Sequence, residues 1–270
     1  MFLVSLVAGT VGALLGLGGG IIIIPALTLG LGMDIRQAIG ATIVSVIATS
    51  SGAAAAYIRD RITNIRIGMF LETATTTGAI TGAYLGGLIS PRALYIIFAG
   101  VLSYSAFSMF QRRHMELPEG VSPHPLARKL RLEGSYYDHA LGQQVRYTST
   151  GVYEGLGIMY GAGVISGLLG IGSGLFKVLA MDLCMKLPMK VSTATSNFMI
   201  GVTAAASAGI YFARGQINPA VAAPVALGVV LGATLGTRLM MHLRNTTLRK
   251  AFVPVLLYVS LEMLLKGWRG

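Results

Sequence analysis

Apolar residues fill this chain of 270 residues in long runs, with polar residues falling between them. Runs over about 37–58, 66–89, 92–111, 191–213, 217–241 and 247–266 each approach the roughly 20 residues that a helix needs to cross a bilayer. They predict six full membrane-spanning helices. Two further oily segments, 2–33 and 151–187, are interrupted near their centres by "GLGGG" and "GIGSG". As one straight helix, segment 2–33 would measure about 48 Å, against a hydrocarbon core of about 30 Å. Split at Gly16–Gly20 it becomes two arms, each about 20 Å long, too short to cross comfortably. A hairpin that enters and turns back fits these lengths better than a rod.

The pattern occurs twice. Shifted by 154 residues, the sequence aligns with itself without a gap: "AGTVGALLGLGGG" (8–20) lies on "AGVISGLLGIGSG" (162–174). Tyr57 falls on Tyr211, Asn64 on Asn218, Gly78 and Gly82 on Gly232 and Gly236, and Leu94 and Phe98 on Leu248 and Phe252. The expected organisation is a first membrane repeat (1–111), a polar connector (112–150) and a second membrane repeat (151–270). Repeats of this size are a hallmark of secondary transporters. Each repeat reads as a glycine-broken, re-entrant helix pair followed by three transmembrane helices. The predicted fold class is therefore an all-α polytopic membrane protein.

Composition agrees. Only 11% of residues are charged and mean hydropathy is +0.70, too apolar for a soluble domain of this length. The opening "MFLVSLVAG" has no basic n-region and no A-x-A-like site after it, so it reads as part of the first hydrophobic segment. A single cysteine, Cys184, excludes an internal disulfide and reads as a packing residue. The net charge of +11 could suggest nucleic acid, but in a membrane chain basic residues mark cytoplasmic loops instead. If both broken segments turn back, 16 Lys and Arg lie on the connector's side and 5 on the other; single crossings would give 12 against 9. The positive-inside rule prefers the first arrangement. It puts the connector in the cytoplasm of a cell whose plasma membrane holds the chain, inverts the two repeats, and leaves both termini outside. The connector itself reads as a solvated loop, with room for a short surface helix in "SPHPLARKLRLEGSYYD".

Irregular backbone survives in a membrane only when it is buried in protein or lines a watery cavity. Half-helix N-termini there offer free N–H groups and partial positive charge, and glycine lets a ligand approach. The candidate anion site is thus Gly18, Gly19, Gly20, Ser173 and Gly174. Tight helix packing by small residues is the competing reading. A nucleotide loop is not supported, since "GLGGGI" lacks the third glycine of G-x-G-x-x-G. Lys177, three residues past Gly174, is a candidate anion ligand that could instead pair with Asp182 or reach the surface. In the helix after each break, Thr42, Ser196 and Asn197 offer hydroxyl or amide groups to an oxyanion, or to a backbone carbonyl. Glu72 and Asp182 are candidates for proton coupling, with Arg66 an alternative partner for Glu72. Glu262 and Lys266 are spaced as a structural i,i+4 pair. The ladders Gly78–Gly82–Gly86 and Gly228–Gly232–Gly236 read as close helix packing. The four histidines have no zinc spacing, and no nucleophile–base arrangement stands out. No enzyme activity, metal or cofactor is expected.

"GLGGGIIIIPAL" with "RQAIGATIVS", and "GLLGIGSGLFKVLAM" with "MKVSTATSNFMIGVTAAASAGIYFARGQI", resemble the TauE/SafE (TSUP) family of anion exporters. The resemblance covers essentially the whole chain, including "GSYYDHALGQQVRY" in the connector. It implies movement of small sulfur-containing anions: sulfite, thiosulfate, sulfoacetate or other sulfonates. The family's second motif usually has glycine where Ser173 stands and proline where Leu179 stands, so a less sharp second break is expected. The expected function is a secondary transporter, an exporter, that binds a small organosulfur anion at the bilayer midplane between the breaks. The alternatives are a passive anion channel or a transporter of a different small anion. The expected partners are that anion and the lipid bilayer, with no nucleic acid.

Overall fold

A computed structural model describes residues 2–16, 18–111, 124–139, 142–240 and 245–269. The first broken segment forms α1 (Phe2–Leu15) and α2 (Gly20–Pro25), the latter widening into a π-helical turn over Ala26–Gly30. Next come α3 (Ile35–Arg59), α4 (Ile65–Gly86) and α5 (Pro91–Gln111). The connector holds α6 (Pro125–Lys129), β1 (Gly134–Asp138) and β2 (Gln143–Tyr147). The second broken segment forms α7 (Val152–Leu169) and α8 (Gly174–Leu179), with its own π-helical turn over Ala180–Cys184. It is followed by α9 (Met189–Ala213), α10 (Pro219–Met240) and α11 (Asn245–Arg269).

Local chemistry sets these boundaries. The Asp34 side chain caps α3 by accepting from the Arg36 N–H, and Asn64 caps α4 by accepting from Ile67. Pro91 and Pro219 open α5 and α10, where the missing N–H is harmless. Among the described helices, 35–59, 152–169, 189–213 and 219–239 are long and apolar enough to cross a membrane. At 18 residues α7 is longer than the arm expected of a broken segment.

The packing of the helices is reciprocal. α1 lies along α10, α7 along α4, α3 against α9 and α5 against α11. Gly9 rests on the Val229 backbone, and Gly163, its equivalent, rests on the Thr75 backbone. Gly78 and Gly82 meet the backbone of Tyr160 and Val164, and Gly232 and Gly236 meet that of Leu6 and Thr10. Every one of these contacts recurs when both partners are shifted by 154 residues. A Cβ at Gly78, Gly82, Gly232 or Gly236 would collide with main chain, so each ladder is a backbone-to-backbone seam.

The same contacts give helix directions. Later residues of α4 meet later residues of α7, so the two run parallel, as do α1 and α10. α3 and α9 run antiparallel: Gly40 meets Gln216, Ser50 meets Gly201, and the Asn64 N–H donates to the Thr195 hydroxyl. α5 and α11 do likewise, with Ser103 bonded to Ser260 and Gly267 packed on Tyr95 and Ile96.

The connector differs from the solvated loop expected. α6 does form, but the next stretch is an antiparallel hairpin in the register Gly134↔Tyr147 to Asp138↔Gln143, so the chain is not wholly α. Alternation explains it: Tyr136 and Asp138 turn inward while Ser135 and Tyr137 face out. The buried Lys190 ammonium at the start of α9 donates to Asp138 Oδ1 at 2.7 Å, and the Tyr136 hydroxyl donates to Oδ2 at 3.2 Å. Burial, and then the Asp138 carboxylate, push the Tyr136 phenol up, which keeps it a donor. The Asn64 amide donates to the Tyr147 hydroxyl at 3.1 Å. The hairpin is therefore docked against the start of α9 and the turn between α3 and α4.

Two outcomes follow. Gly82→Leu should lower stability by at least about 1–3 kcal/mol through overpacking, whereas Gly100→Leu, which meets nothing within 4 Å, should not; thermal unfolding in detergent compares them. Asp138→Ala should strand the Lys190 ammonium, a loss of about 3–5 kcal/mol in the same assay, larger than for an exposed carboxylate such as Glu154.

Candidate functional site

Both breaks depend on left-handed backbone at matching positions. φ is positive at Gly16, Gly18 and Gly19, and at Gly170, Gly172 and Ser173, their equivalents. After the first break the chain folds back. The Gly18 N–H donates to the Gly12 carbonyl at 3.4 Å, and Gly19 sits beside Ala8. Gly18 then faces Val46 and Gly20 faces Thr42, a turn nearer the start of α3. The second break is as sharp as the first, against expectation. Ser173 takes φ 46° without glycine's freedom, and Leu179 leads into the same π-helical turn as Pro25. The geometry comes from the left-handed residues, so the missing proline is immaterial.

The breaks meet at the centre of the fold. Gly18 and Gly172 both pack on Val46 and Ile200, which are equivalent to one another. Gly20 lies on Ile171, and Gly174 on the Gly16 carbonyl. Ser196 joins them: its hydroxyl lies 3.1 Å from the Gly16 carbonyl and 3.2 Å from that of Gly174. The Asn197 amide donates to the carbonyls of Ala13 and Thr193, both at 3.1 Å. Tyr57 donates to Ala13 as well, and Tyr211 to Gly167 and Leu168. At Ala13, Gly16, Gly167 and Leu168 side chains thus satisfy carbonyls freed where α1 and α7 end. Thr42 donates to the Ala38 carbonyl within its own helix. Of the two roles open to Thr42, Ser196 and Asn197, this structure displays bonding to backbone.

Two polar atoms at the breaks have no hydrogen-bond partner although buried: the Ser173 hydroxyl and Asn197 Oδ1. Buried polar groups are nearly always paired, so these are the atoms with capacity left for a ligand. Ser173 also holds a strained conformation for a residue with a side chain.

Lys177 is fully buried, but its partner is not Asp182. Its ammonium donates to the Thr203 hydroxyl and lies 3.8 Å from Glu72 Oε2. Glu72 Oε1 accepts from Thr76 at 2.9 Å and from Thr203 at 2.6 Å. Arg66 points away, toward the Arg131 carbonyl. Asp182 lies half-buried in the second π-helical turn. Lys266 donates to the Thr28 carbonyl, outside any i,i+4 pair. Sequence reasoning missed Thr76 and Thr203. Both were legible, Thr76 one turn after Glu72 and Thr203 two turns after Ser196 on the same face of α9. A cleft of about 170 Å³ opens between α1, α2 and α10, lined by residues such as Val4, Ile23 and Val225; its walls are too apolar for an anion.

Two interrupted helices meeting inside a largely apolar helical bundle define a polytopic membrane protein of the transporter type. The family model described as sulfite exporter TauE/SafE matches residues 1–263, and the chain belongs to that family of membrane transport proteins. It is 27% identical over 274 residues to the probable membrane transporter protein YunE of Bacillus subtilis (strain 168), covering 99% of this chain and 97% of that one. It is 26% identical to the probable membrane transporter protein YdhB of the same organism, covering 93% and 92%. No solved structure matches significantly.

Ser196→Ala should remove the single hydroxyl proton shared between the Gly16 and Gly174 carbonyls and lower stability by about 1–3 kcal/mol. Ser173→Gly, which restores the residue found at Gly19, should instead raise it by about 1 kcal/mol by relieving left-handed strain. Thermal unfolding in detergent separates the two signs.

Proposed function

We propose that the protein exports a small organosulfur oxyanion, such as sulfite, thiosulfate or a sulfonate, by alternating access. The observation that carries this reading is the meeting of the two breaks. The left-handed backbone of both breaks meets against Val46 and Ile200. The Ser173 hydroxyl and Asn197 Oδ1 are buried there without a partner, and the buried Lys177 ammonium stands on the short helix that follows the second break. In this reading the anion sits near the midplane against Gly18–Gly20 and Ser173–Gly174. Ser173, Asn197 and Lys177 supply side-chain contacts, and Thr42 and Ser196 hold the frame. Binding and release then follow from rocking of one repeat against the other.

We also read the repeats (1–111 and 151–270) as inverted across a plasma membrane, with the connector cytoplasmic and the termini outside. Reciprocal contacts between equivalent residues are what a two-fold relation produces. Antiparallel pairing of the equivalent helices α3 and α9, and of α5 and α11, favours an axis across the helices rather than along them. The re-entrant reading is supported in the first broken pair by the fold-back at Gly18–Gly20, and in the second by Gly151 and Gly155, at the start of α7, which lie against Cys184 and Met185 beyond α8.

The test is a thermal-shift screen of the purified protein against sulfite, thiosulfate, sulfoacetate, taurine, sulfate and chloride, followed by counterflow in liposomes. A specific ligand at one hundred times its Kd should add about 2.7 kcal/mol, or about 2–4 °C per kcal/mol. Stabilisation by organosulfur anions with saturable counterflow is expected. If none exceeds ionic-strength controls, the substrate class is wrong; if flux occurs without counterflow, the protein is a channel.

A further inference from the structure

The reciprocal packing of the fold breaks down at one place. Lys177, Glu72 and Thr76 correspond to Ile23, Ala226 and Val230, while Thr203 corresponds to Thr49. One interface therefore carries a buried ammonium and carboxylate where its counterpart carries aliphatic side chains. The counterpart packs well: Ile23 is 2% exposed and Thr49 donates to the Ser45 carbonyl. Packing does not need the charges. A buried ion pair is commonly no more stable than an apolar replacement of similar volume, and ionisable groups inside a membrane protein mark function by default.

The pair is also incomplete. At 3.8 Å the ammonium and Glu72 Oε2 are apart by more than a hydrogen bond, and Oε2 has no hydrogen-bond partner. Oε1 is held by two threonine hydroxyls, so the carboxylate is fixed in place with one oxygen left over. Other titratable groups on the helices around it are engaged or face outward. Lys190 bonds Asp138, and Tyr211 bonds carbonyls past α7's middle. Arg66 reaches Arg131, and Arg214 lies over Tyr84. Tyr153, Glu154 and Tyr160 on α7 are exposed, and Asp182 follows α8 in the π-helical turn.

We infer that Lys177 and Glu72 form a proton-coupling unit, in which the arriving anion replaces Glu72 as the partner of the Lys177 ammonium and Glu72 takes up one proton. This inference rests on the export reading above and assigns its coupling. An ammonium and a carboxylate together are neutral. Adding a monovalent anion would leave one net negative charge in a low-dielectric interior, which is strongly unfavourable. Protonation of Oε2 by solvent water or hydronium restores neutrality, with Lys177 still charged and no covalent bond made to the cargo. Each anion then moves with one proton, and on release the carboxylate ionises and recaptures the ammonium. Thr203, bonded to both partners, holds the two groups in register.

The experiment uses the full chain in liposomes with isethionate, a sulfonate fully ionised near neutrality, and an internal pH dye. In the wild type an isethionate gradient should drive proton movement in the same direction. Glu72→Gln keeps the shape and should retain isethionate counterflow while losing proton movement at least tenfold. The double variant Lys177→Ile with Glu72→Ala copies the equivalent interface at its two charged positions. It should keep or raise the thermal midpoint and lose isethionate flux at least hundredfold. Proton movement retained in Glu72→Gln, flux without proton movement in the wild type, or wild-type coupling in the double variant would each overturn the inference and leave export standing. Failure of the wild type to move isethionate or any other organosulfur anion removes the export reading, and this inference with it.

Discussion

A broken helix within an apolar bundle frees carbonyls and N–H groups that have no water to turn to, and the rest of the fold answers that demand. Ala13 receives two donors, from Tyr57 and Asn197. Gly16 and Gly174 share the Ser196 hydroxyl, and Gly167 and Leu168 share the Tyr211 hydroxyl. These donors stand on α3 and α9, the two helices that pair with each other at the centre. The breaks can be sharp because those helices are rigid and carry the right groups. An unpaired amide or carbonyl in such a place costs about 1–3 kcal/mol, so several unmet together would remove most of the margin by which a domain is stable.

The glycines do two separate jobs. Those at 16, 18, 19, 170 and 172 hold left-handed backbone, and Ser173 does so without being glycine. Those at 78, 82, 232 and 236 allow main chain to touch main chain. The second set locks each broken helix to a full helix of the other half. A single repeat would therefore leave its ladder against nothing.

Much of this was readable from residues. The six long helices that follow the breaks begin and end within a few residues of the apolar runs, and a cap or a proline marks the start of four of them: Asp34, Asn64, Pro91 and Pro219. The 154-residue offset anticipated which residues are equivalent. What it could not give is that equivalent surfaces meet across the halves, since self-similarity says nothing about partners. Lys177 and Glu72 were each conspicuous as charges in oily segments, but they are 105 residues apart in sequence, and no periodicity joins them. The hairpin was missed for a different reason. Its inward positions are Tyr136 and Asp138, and an inward carboxylate reads as a loop until Lys190 is known to face it.

Three departures from reciprocity stand out: Ser173 for glycine, the Lys177–Glu72 pair for aliphatics, and a hairpin clamped to α9 through Lys190, where the matching Arg36 donates to the Ile89 carbonyl instead. Their effect follows from population arithmetic. Two inverted halves that exchange conformations would, if identical, give two states of equal energy and no preferred direction of opening. A one-sided feature adds free energy to one state alone, and each 1.4 kcal/mol shifts the ratio tenfold. If the halves exchange as proposed, the docked hairpin would act whether or not cargo is bound, whereas the buried ion pair would act only while no anion stood between its partners, which would tie the bias to the cargo.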